Sequence, residues 1–347
     1  MKAVVKMDTT PGLDYLEIPV PEPKPSEVLI EVEAASICGT DIHYYHWDQN
    51  AVDFSKKFNV QFPFVIGHEF SGTIVKVGKD VSTRFVGQRV AIETHIPCGK
   101  CFMCEIGESH NCSDMGIYGT STNGCFAPYA VADEKITFVL PDEVSFKEGA
   151  LFEPAGVAMR AVEEACIQPG DTVVINGSGP IGLIAITLAK IAGASTVIAT
   201  DLDQYRLSLA HKLGAIPLNI KEVNAEEEIQ KITKFRKGAD VVIELSGSVA
   251  AYENIFNFVR LEGRVVTVGH PGGPVALNIT RDINLKGVSM KGIFGRRIWS
   301  TWHHLASLIA AKKVNLLDVV THEFSFDQYE KAFQQISEGA GKILFIK

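Results

Sequence analysis

The chain has 347 residues, 46% hydrophobic and 21% charged, with 33 basic against 41 acidic side chains and a net charge of −8. One hydrophobic core stops growing before that length, so two domains are the default, and the absence of a basic block disfavours a nucleic-acid partner. No apolar run approaches a membrane span, and MKAVVKMDTT enters strand-like sequence rather than a signal peptide, so the expectation is a cytoplasmic chain with no membrane partner.

To about residue 140 the chain carries short strands broken by Gly and Pro. VLIEVEAAS, TIVKVG, RVAIETH and ITFVL alternate or run β-branched, and PVPEPKPSE is a turn-rich connector. That pattern predicts a β-rich, barrel-like domain over residues 1–150. Within it, Cys38 opens CGTDIH, and His68 and Glu69 lie in GHEF. A catalytic zinc takes three protein ligands from Cys, His and carboxylate and keeps one position open. Cys38 and His68 offer a thiolate and an imidazole, and Glu69 or Glu153 the carboxylate. Each alone also fits a buried core residue. Asp41 shifts that balance toward zinc, because a carboxylate three residues past Cys38 can orient the ligating imidazole through its second nitrogen.

Next comes CGKCFMCEIGESHNC, which spaces Cys98, Cys101, Cys104 and Cys112 as C-x2-C-x2-C-x7-C. Four thiolates fill a tetrahedral zinc and leave no place for substrate, so this site is expected to be structural. Two disulfides are the competing arrangement, disfavoured because the chain is long and unlike a disulfide-stapled secreted domain. Seven cysteines, five of them in candidate zinc sites, fit a reducing compartment. Cys125 and Cys166 have no ligand spacing and are expected in the core.

From residue 151 compact apolar strands (DTVVING, STVIATD, ADVVIELSG, GRVVTVGH) alternate with helical stretches, which predicts a parallel, doubly wound α/β sheet over 151–293. VVINGSGPIG places Gly177, Gly179 and Gly182, with Pro180 and Ile181, directly after a strand and at the mouth of a helix. The next strand ends in Asp201, where an acid can bind the adenosine ribose hydroxyls and repel a 2′-phosphate. The glycines let the backbone approach a pyrophosphate at the helix N-terminus. The expected cofactor is NAD. Arg206 either covers its adenosine end or belongs to a solvated helix face. The tail, 294–347, carries two helices, TWHHLASLIAAKK and FDQYEKAFQQISEG, and ends in a strand, KILFIK. His303 and His304 are expected on a helix surface.

CGTDIH, GHEFSG, VGKDV, GQRV, the four-cysteine loop, GSGPIG and TD, in that order and nearly end to end, resemble the zinc-dependent medium-chain dehydrogenase/reductase family. The resemblance implies a catalytic domain split between the N-terminal segment and the tail, an inserted Rossmann domain, and one catalytic and one structural zinc. It makes Cys38 and His68 zinc ligands, with Glu69 nearby and Glu153 at the position of a further carboxylate. Thr40 matches the hydroxyl that takes the alcohol proton, and His43 the histidine that passes it to solvent. Cys98, Cys101, Cys104 and Cys112 match the structural zinc lobe. A homotetramer is implied too, with a strand near VVTVGH extending the sheet across a dimer interface.

Within the family, ICGTDIHYYHWD, ETHIPCGKC with His95, and MKGIFGRRIWSTWHHLASLI with Arg296 resemble the threonine-oxidising members. They imply a small-molecule alcohol substrate, L-threonine, oxidised to 2-amino-3-ketobutyrate. One departure is Val157, where those members commonly carry Asn after the Glu-Pro pair. A polyol (sorbitol-type) or vicinal-diol dehydrogenase shares the same catalytic residues. A non-catalytic scaffold would be expected to lose Cys38, His68, Thr40 or His43, and all four are present.

Overall fold

A computed structural model describes residues 1–347. The chain divides into two compact units, Met1–Glu153 with Arg297–Lys347, and Pro154–Arg296. No helix is long and apolar enough to cross a membrane.

The first unit is β-rich. Its central strand, Glu27–Ser36, buries most of its length and pairs antiparallel with Glu69–Val77, Tyr129–Asp133 and Lys342–Ile346. Val28, Ile30, Val32, Phe70, Ile74, Phe126 and Phe345 fill the core between these strands. Two consequences matter for the site. The last strand lies against Ala34–Ser36, two residues before Cys38, and the neighbouring strand begins at Glu69, one residue after His68. The sheet therefore brings three distant segments to one edge.

The chain departs from the sequence expectations at several points in this unit. RVAIETH is two strands, Arg89–Ile92 and His95–Ile96, the second paired with Gly116–Ile117. Between the two tail helices lies a further strand, Val320–Phe324, parallel to Lys342–Ile346. Its VTHEF sequence is only partly buried and lacks the apolar alternation that marks a strand. Helices also form at Gly39–His46 and Gln49–Lys57, short elements of 8 and 9 residues. Asp48 caps the second of these, accepting from the Asn50 and Ala51 amides.

The second unit is a six-stranded parallel sheet. Its strands are β1 (Thr172–Asn176), β2 (Thr196–Asp201), β3 (Ile216–Asn219), β4 (Ala239–Glu244), β5 (Val259–Thr267) and β6 (Ser289–Gly292), in the order β3-β2-β1-β4-β5-β6. Every residue of β1 and β4 is buried, as a parallel strand covered on both faces requires. Helices α1 (Pro180–Ile191), α2 (Gln204–Lys212), α3 (Ala225–Thr233) and α4 (Val249–Phe258) connect the first five strands. The order reverses at β1, and ligands of open α/β sheets bind beyond the strand ends at that switch point.

Two expectations are corrected here. The strand holding VVTVGH is interior, paired on one side with β4 and on the other with β6; the exposed edge is β6 itself. Cys166 is exposed rather than in the core, because it sits in a left-handed turn just past the helix Phe152–Glu164. Cys125 is buried as expected.

Candidate active site and metal centres

The four-cysteine loop closes on itself. Cys98, Cys101, Cys104 and Cys112 bring their sulfurs within 4.8 Å of one another, all as free thiols. Cys101 Sγ lies 3.6 Å from Cys104 Sγ and 3.7 Å from Cys112 Sγ. A disulfide would close such a gap to about 2.05 Å, whereas sulfurs about 2.3 Å from one tetrahedral zinc stand roughly 3.8 Å apart. Backbone amides point at these sulfurs as well: Cys98 N–H donates to Cys112 Sγ at 3.2 Å, and Asp114 N–H to the same atom at 3.4 Å. Backbone hydrogen bonds at Cys104 and Ser113 pull the Cys101 thiol well below its ordinary range, while burial pushes Cys112 up. Sulfurs this close resist sharing several negative charges without a cation among them. The donor set and spacing fit zinc with no open position.

The second cluster is assembled from distant segments. Cys38 precedes the helix Gly39–His46, His68 lies just before the strand Glu69–Val77, and Glu69 opens that strand; their ligand atoms lie within 4.8 Å of one another. Asp41, buried one turn into the helix, accepts from Cys38 N–H at 2.9 Å, and its other oxygen lies 3.7 Å from His68 Nδ1. Burial raises the Asp41 carboxyl to about 6. Burial opposes a charged imidazole at His68, yet the Cys38 thiolate, Asp41 and Glu153 outweigh it and raise that group to about 10. The anionic groups around this buried imidazole suit the pocket to positive charge.

Glu69 shows how that charge is arranged. Its Oε2 accepts from Ser36 Oγ and lies 2.5 Å from Lys342 Nζ, and Lys342 also donates to the Ile37 carbonyl at 2.8 Å. Its Oε1 is buried with no hydrogen-bond partner. One oxygen is thus tied to the chain's own cation, and the other remains a buried, unsatisfied acceptor on a residue of the Cys38–His68–Glu69 cluster. A buried acceptor of this kind is costly unless something completes it, and a zinc ion would. Glu153 lies outside the three-residue cluster, but its charge acts on both His68 and Lys342. Thr40 Oγ1 is 4.0 Å from Cys38 Sγ. His43, further along the same helix, is partly exposed, with Nδ1 2.6 Å from Asp48 Oδ2.

In the second unit, Gly177 has φ +103°, and a Cβ there would meet the Ser246 backbone nitrogen at 2.7 Å. A Cβ on Gly182 would strike the Gly177 carbonyl at 2.0 Å, so Gly182 lets the turn pack on its helix. Around Gly179 nothing lies within 4 Å of the Cβ position, and that residue caps α1, which Pro180 and Ile181 open. Asp201 accepts from the Ser178, Leu202 and Asp203 amides at 2.7, 2.7 and 2.9 Å, which pins its carboxylate at the end of β2. Gly177, Gly179, Asp201 and Arg206 line one cavity of about 700 Å³, together with Asn176 and Thr200. Glycines that keep backbone open to a helix N-terminus fit a dinucleotide pyrophosphate.

Other candidates fall elsewhere. His95 is buried, its Nδ1 3.0 Å from Glu93 Oε1. Arg296 is buried. His303 and His304 lie on the exposed face of the helix Ser300–Ala310. Sequence reasoning missed Lys342, Ser36 and the link between Asp48 and His43. KILFIK carries a lysine at each end, Lys342 buried and Lys347 exposed, and nothing local marks which of the two enters the core.

Residues 24–142 match the alcohol dehydrogenase GroES-like domain, and residues 180–311 match the zinc-binding dehydrogenase family. The whole chain is 40% identical to L-threonine 3-dehydrogenase of Bacillus subtilis (strain 168), covering 98% of that protein, and 38% identical to L-threonine 3-dehydrogenase of Pyrococcus abyssi, again over 98% of it. The chain belongs to the zinc-dependent medium-chain dehydrogenase family. Solved members agree in fold: alcohol dehydrogenase TADH from Thermus sp. ATN1 superposes with a TM-score of 0.90 at 27% identity, covering 100% of this chain and 99% of that one. The 2R,3R-butanediol dehydrogenase of Bacillus subtilis gives 0.88 at 29%, with the same coverage. This medium-chain dehydrogenase is a zinc-dependent oxidoreductase acting on a small alcohol with NAD(P).

Proposed function

We propose that the chain oxidises the secondary alcohol of L-threonine to 2-amino-3-ketobutyrate, with the hydride passing to NAD. The observation that carries this reading is the 40% identity to an L-threonine 3-dehydrogenase over the full length of this chain. When bound, zinc supplies the Lewis acidity that lowers an alcohol pKa, and the nicotinamide accepts the hydride. Cys38 and His68 hold the zinc, with Glu69 or Glu153 as the carboxylate. The Thr40 hydroxyl takes the alcohol proton as it passes its own onward to His43, which delivers it to solvent. Asp41 keeps Cys38 and His68 in place. The Cys98–Cys112 loop holds a second zinc whose work is structural. The pinned Asp201 carboxylate receives the ribose hydroxyls and repels a 2′-phosphate, which favours NAD over NADP. Arg206 covers the adenosine end.

A polyol or vicinal-diol substrate is the second reading, and one residue favours it. Val157 is a buried hydrophobe where threonine-oxidising members commonly carry an amide. Initial rates of NADH formation decide between the two, with L-threonine, D-threonine, sorbitol, xylitol and 2,3-butanediol offered to the zinc-loaded protein. L-Threonine is expected to be turned over far faster than the others. Turnover of a polyol with L-threonine inert would move the substrate while leaving the zinc and dinucleotide sites standing. We also propose a homotetramer, which light scattering behind size-exclusion chromatography tests; a monomer peak would overturn it.

A further inference from the structure

The residue that carries a proton to solvent must present a lone pair at one ring nitrogen and keep its hydrogen on the other. A free imidazole exchanges the two forms, so a neighbour has to choose between them. Around His43 that neighbour is Asp48. Its Oδ2 lies 2.6 Å from His43 Nδ1, while its Oδ1 accepts from the Asn50 and Ala51 amides at 2.9 and 3.2 Å. One carboxylate thus caps a helix with one oxygen and holds the histidine with the other. Partial burial works against its charge, yet the bonds from His43, Ala51 and Asn50 hold the Asp48 carboxyl below its ordinary range. An ionised carboxylate can only accept, so Nδ1 carries the hydrogen. The Asn50 side-chain nitrogen stands 3.4 Å from Nε2; an amide N–H only donates, so both neighbours select the same tautomer.

We propose that Asp48 is a positioning residue for the alcohol oxidation, fixing His43 as the tautomer whose Nε2 accepts the relayed proton. The inference rests on the relay reading of His43 given above. The helix cap makes the pair more than a surface contact. Because Oδ1 is committed to the two backbone amides, the carboxylate cannot rotate without uncapping Gln49–Lys57. After the proton arrives at Nε2, Asp48 also faces the resulting imidazolium, and the proton leaves to water from Nε2.

Two substitutions separate this role from the cap. Asparagine is as good an N-cap as aspartate, and serine is close behind. In Asp48→Asn the cap claims the amide oxygen, so the amide NH2 turns toward His43 Nδ1. Nδ1 must then become the acceptor, and the hydrogen moves to Nε2. In Asp48→Ser the cap remains, but the side chain is too short to reach the ring.

The experiment compares kcat, KM and melting temperature of the zinc-loaded wild type, Asp48→Asn, Asp48→Ser and His43→Ala, using the alcohol the wild type turns over fastest. Selective 15N-histidine spectra report the His43 tautomer in parallel. The expected result is a roughly tenfold loss of kcat in both Asp48 variants, short of the ~hundredfold low end for losing a general acid–base group in His43→Ala. KM and melting temperature should hold, and the imidazole spectrum of Asp48→Asn should show hydrogen at Nε2. Wild-type kcat in both Asp48 variants beside a slow His43→Ala would overturn the role of Asp48 alone. Full turnover by His43→Ala would overturn the relay, and this inference with it.

Discussion

All four sulfurs of the cysteine lobe come from one fifteen-residue stretch, Cys98 to Cys112. The other cluster draws on the entry to a helix, the start of a strand and, through Lys342, the last strand of the chain, whose lysine reaches the Ile37 carbonyl across 305 residues. Backbone amides point at the lobe's sulfurs, and four thiolates on one centre call for a cation from outside. The Cys38–His68–Glu69 cluster is half-neutralised by the chain: Lys342 takes one oxygen of Glu69 and leaves the other unsatisfied. One site is closed and local, the other open and assembled by the sheet. That difference is what a structural and a reactive metal site require, since only the second needs room for a ligand that comes and goes.

The largest expected effect breaks the comparison by removing metal. Structural zinc contributes apparent binding energies of about 10–16 kcal/mol in small zinc-binding peptides, much of it as folding energy. Cys101→Ser should reduce bound zinc from two ions per chain to one and expose the lobe to proteolysis, while Cys38→Ala should also leave one zinc per chain but abolish turnover with the lobe intact. Elemental analysis with limited proteolysis checks both. One zinc per chain in both the wild type and Cys101→Ser would mean that the loop holds its shape without metal.

A smaller effect sharpens the non-local side. Lys342→Met would leave the Glu69 carboxylate buried with its counter-charge removed, which costs about 3–5 kcal/mol when one partner of a buried pair is lost. Glu69→Gln in the same background removes the stranded charge and should recover much of that loss in urea unfolding. If the double variant were as unstable as Lys342→Met, packing rather than charge would explain the lysine.

The same contrast explains what could be read in the sequence. The cysteine loop and the Gly177–Gly182 turn with Asp201 were legible because each closes within a short span, where spacing and geometry are nearly the same information. The β-rich and parallel-sheet halves were legible from the alternation and runs of their strands. Cys38 and His68 were legible as candidates only in company, and their assembly with Glu69 depends on strand pairing. Lys342 was not legible, because nothing local distinguishes a lysine that enters the core to meet Glu69 from one at a strand end facing water. Asp48 was hidden differently: the helix it caps is only nine residues long and mostly polar, so neither the cap nor its second partner, His43, could be placed. The interior position of VVTVGH failed for the same reason as Lys342, since the edge is decided by β6, whose four exposed residues carry no strand signal of their own.

The smallest expected effect supplies a control, a charge cluster that the chain neutralises entirely by itself. Asp240 in β4 accepts from Thr172 N–H at 2.8 Å and pairs with Arg236 and Arg260 at 2.6 and 2.7 Å. Burial works against its charge, but the Thr172 amide and the two guanidiniums prevail and hold its carboxyl below the ordinary range. A carboxyl depressed in the folded state binds fewer protons there than in the unfolded chain. Its contribution is therefore fully present above the unfolded pKa of about 3.9 and is lost as pH falls through the depressed folded value. Asp240→Asn keeps an acceptor for Thr172 and should cost about 1 kcal/mol at neutral pH, the scale of one net hydrogen bond. Its unfolding free energy should then fall less steeply than that of the wild type below pH 4. Chelator should leave the Asp240 contribution untouched while stripping the lobe, because no metal takes part in it. A chelator-sensitive Asp240 term would mean that the two kinds of cluster are coupled through the fold rather than independent.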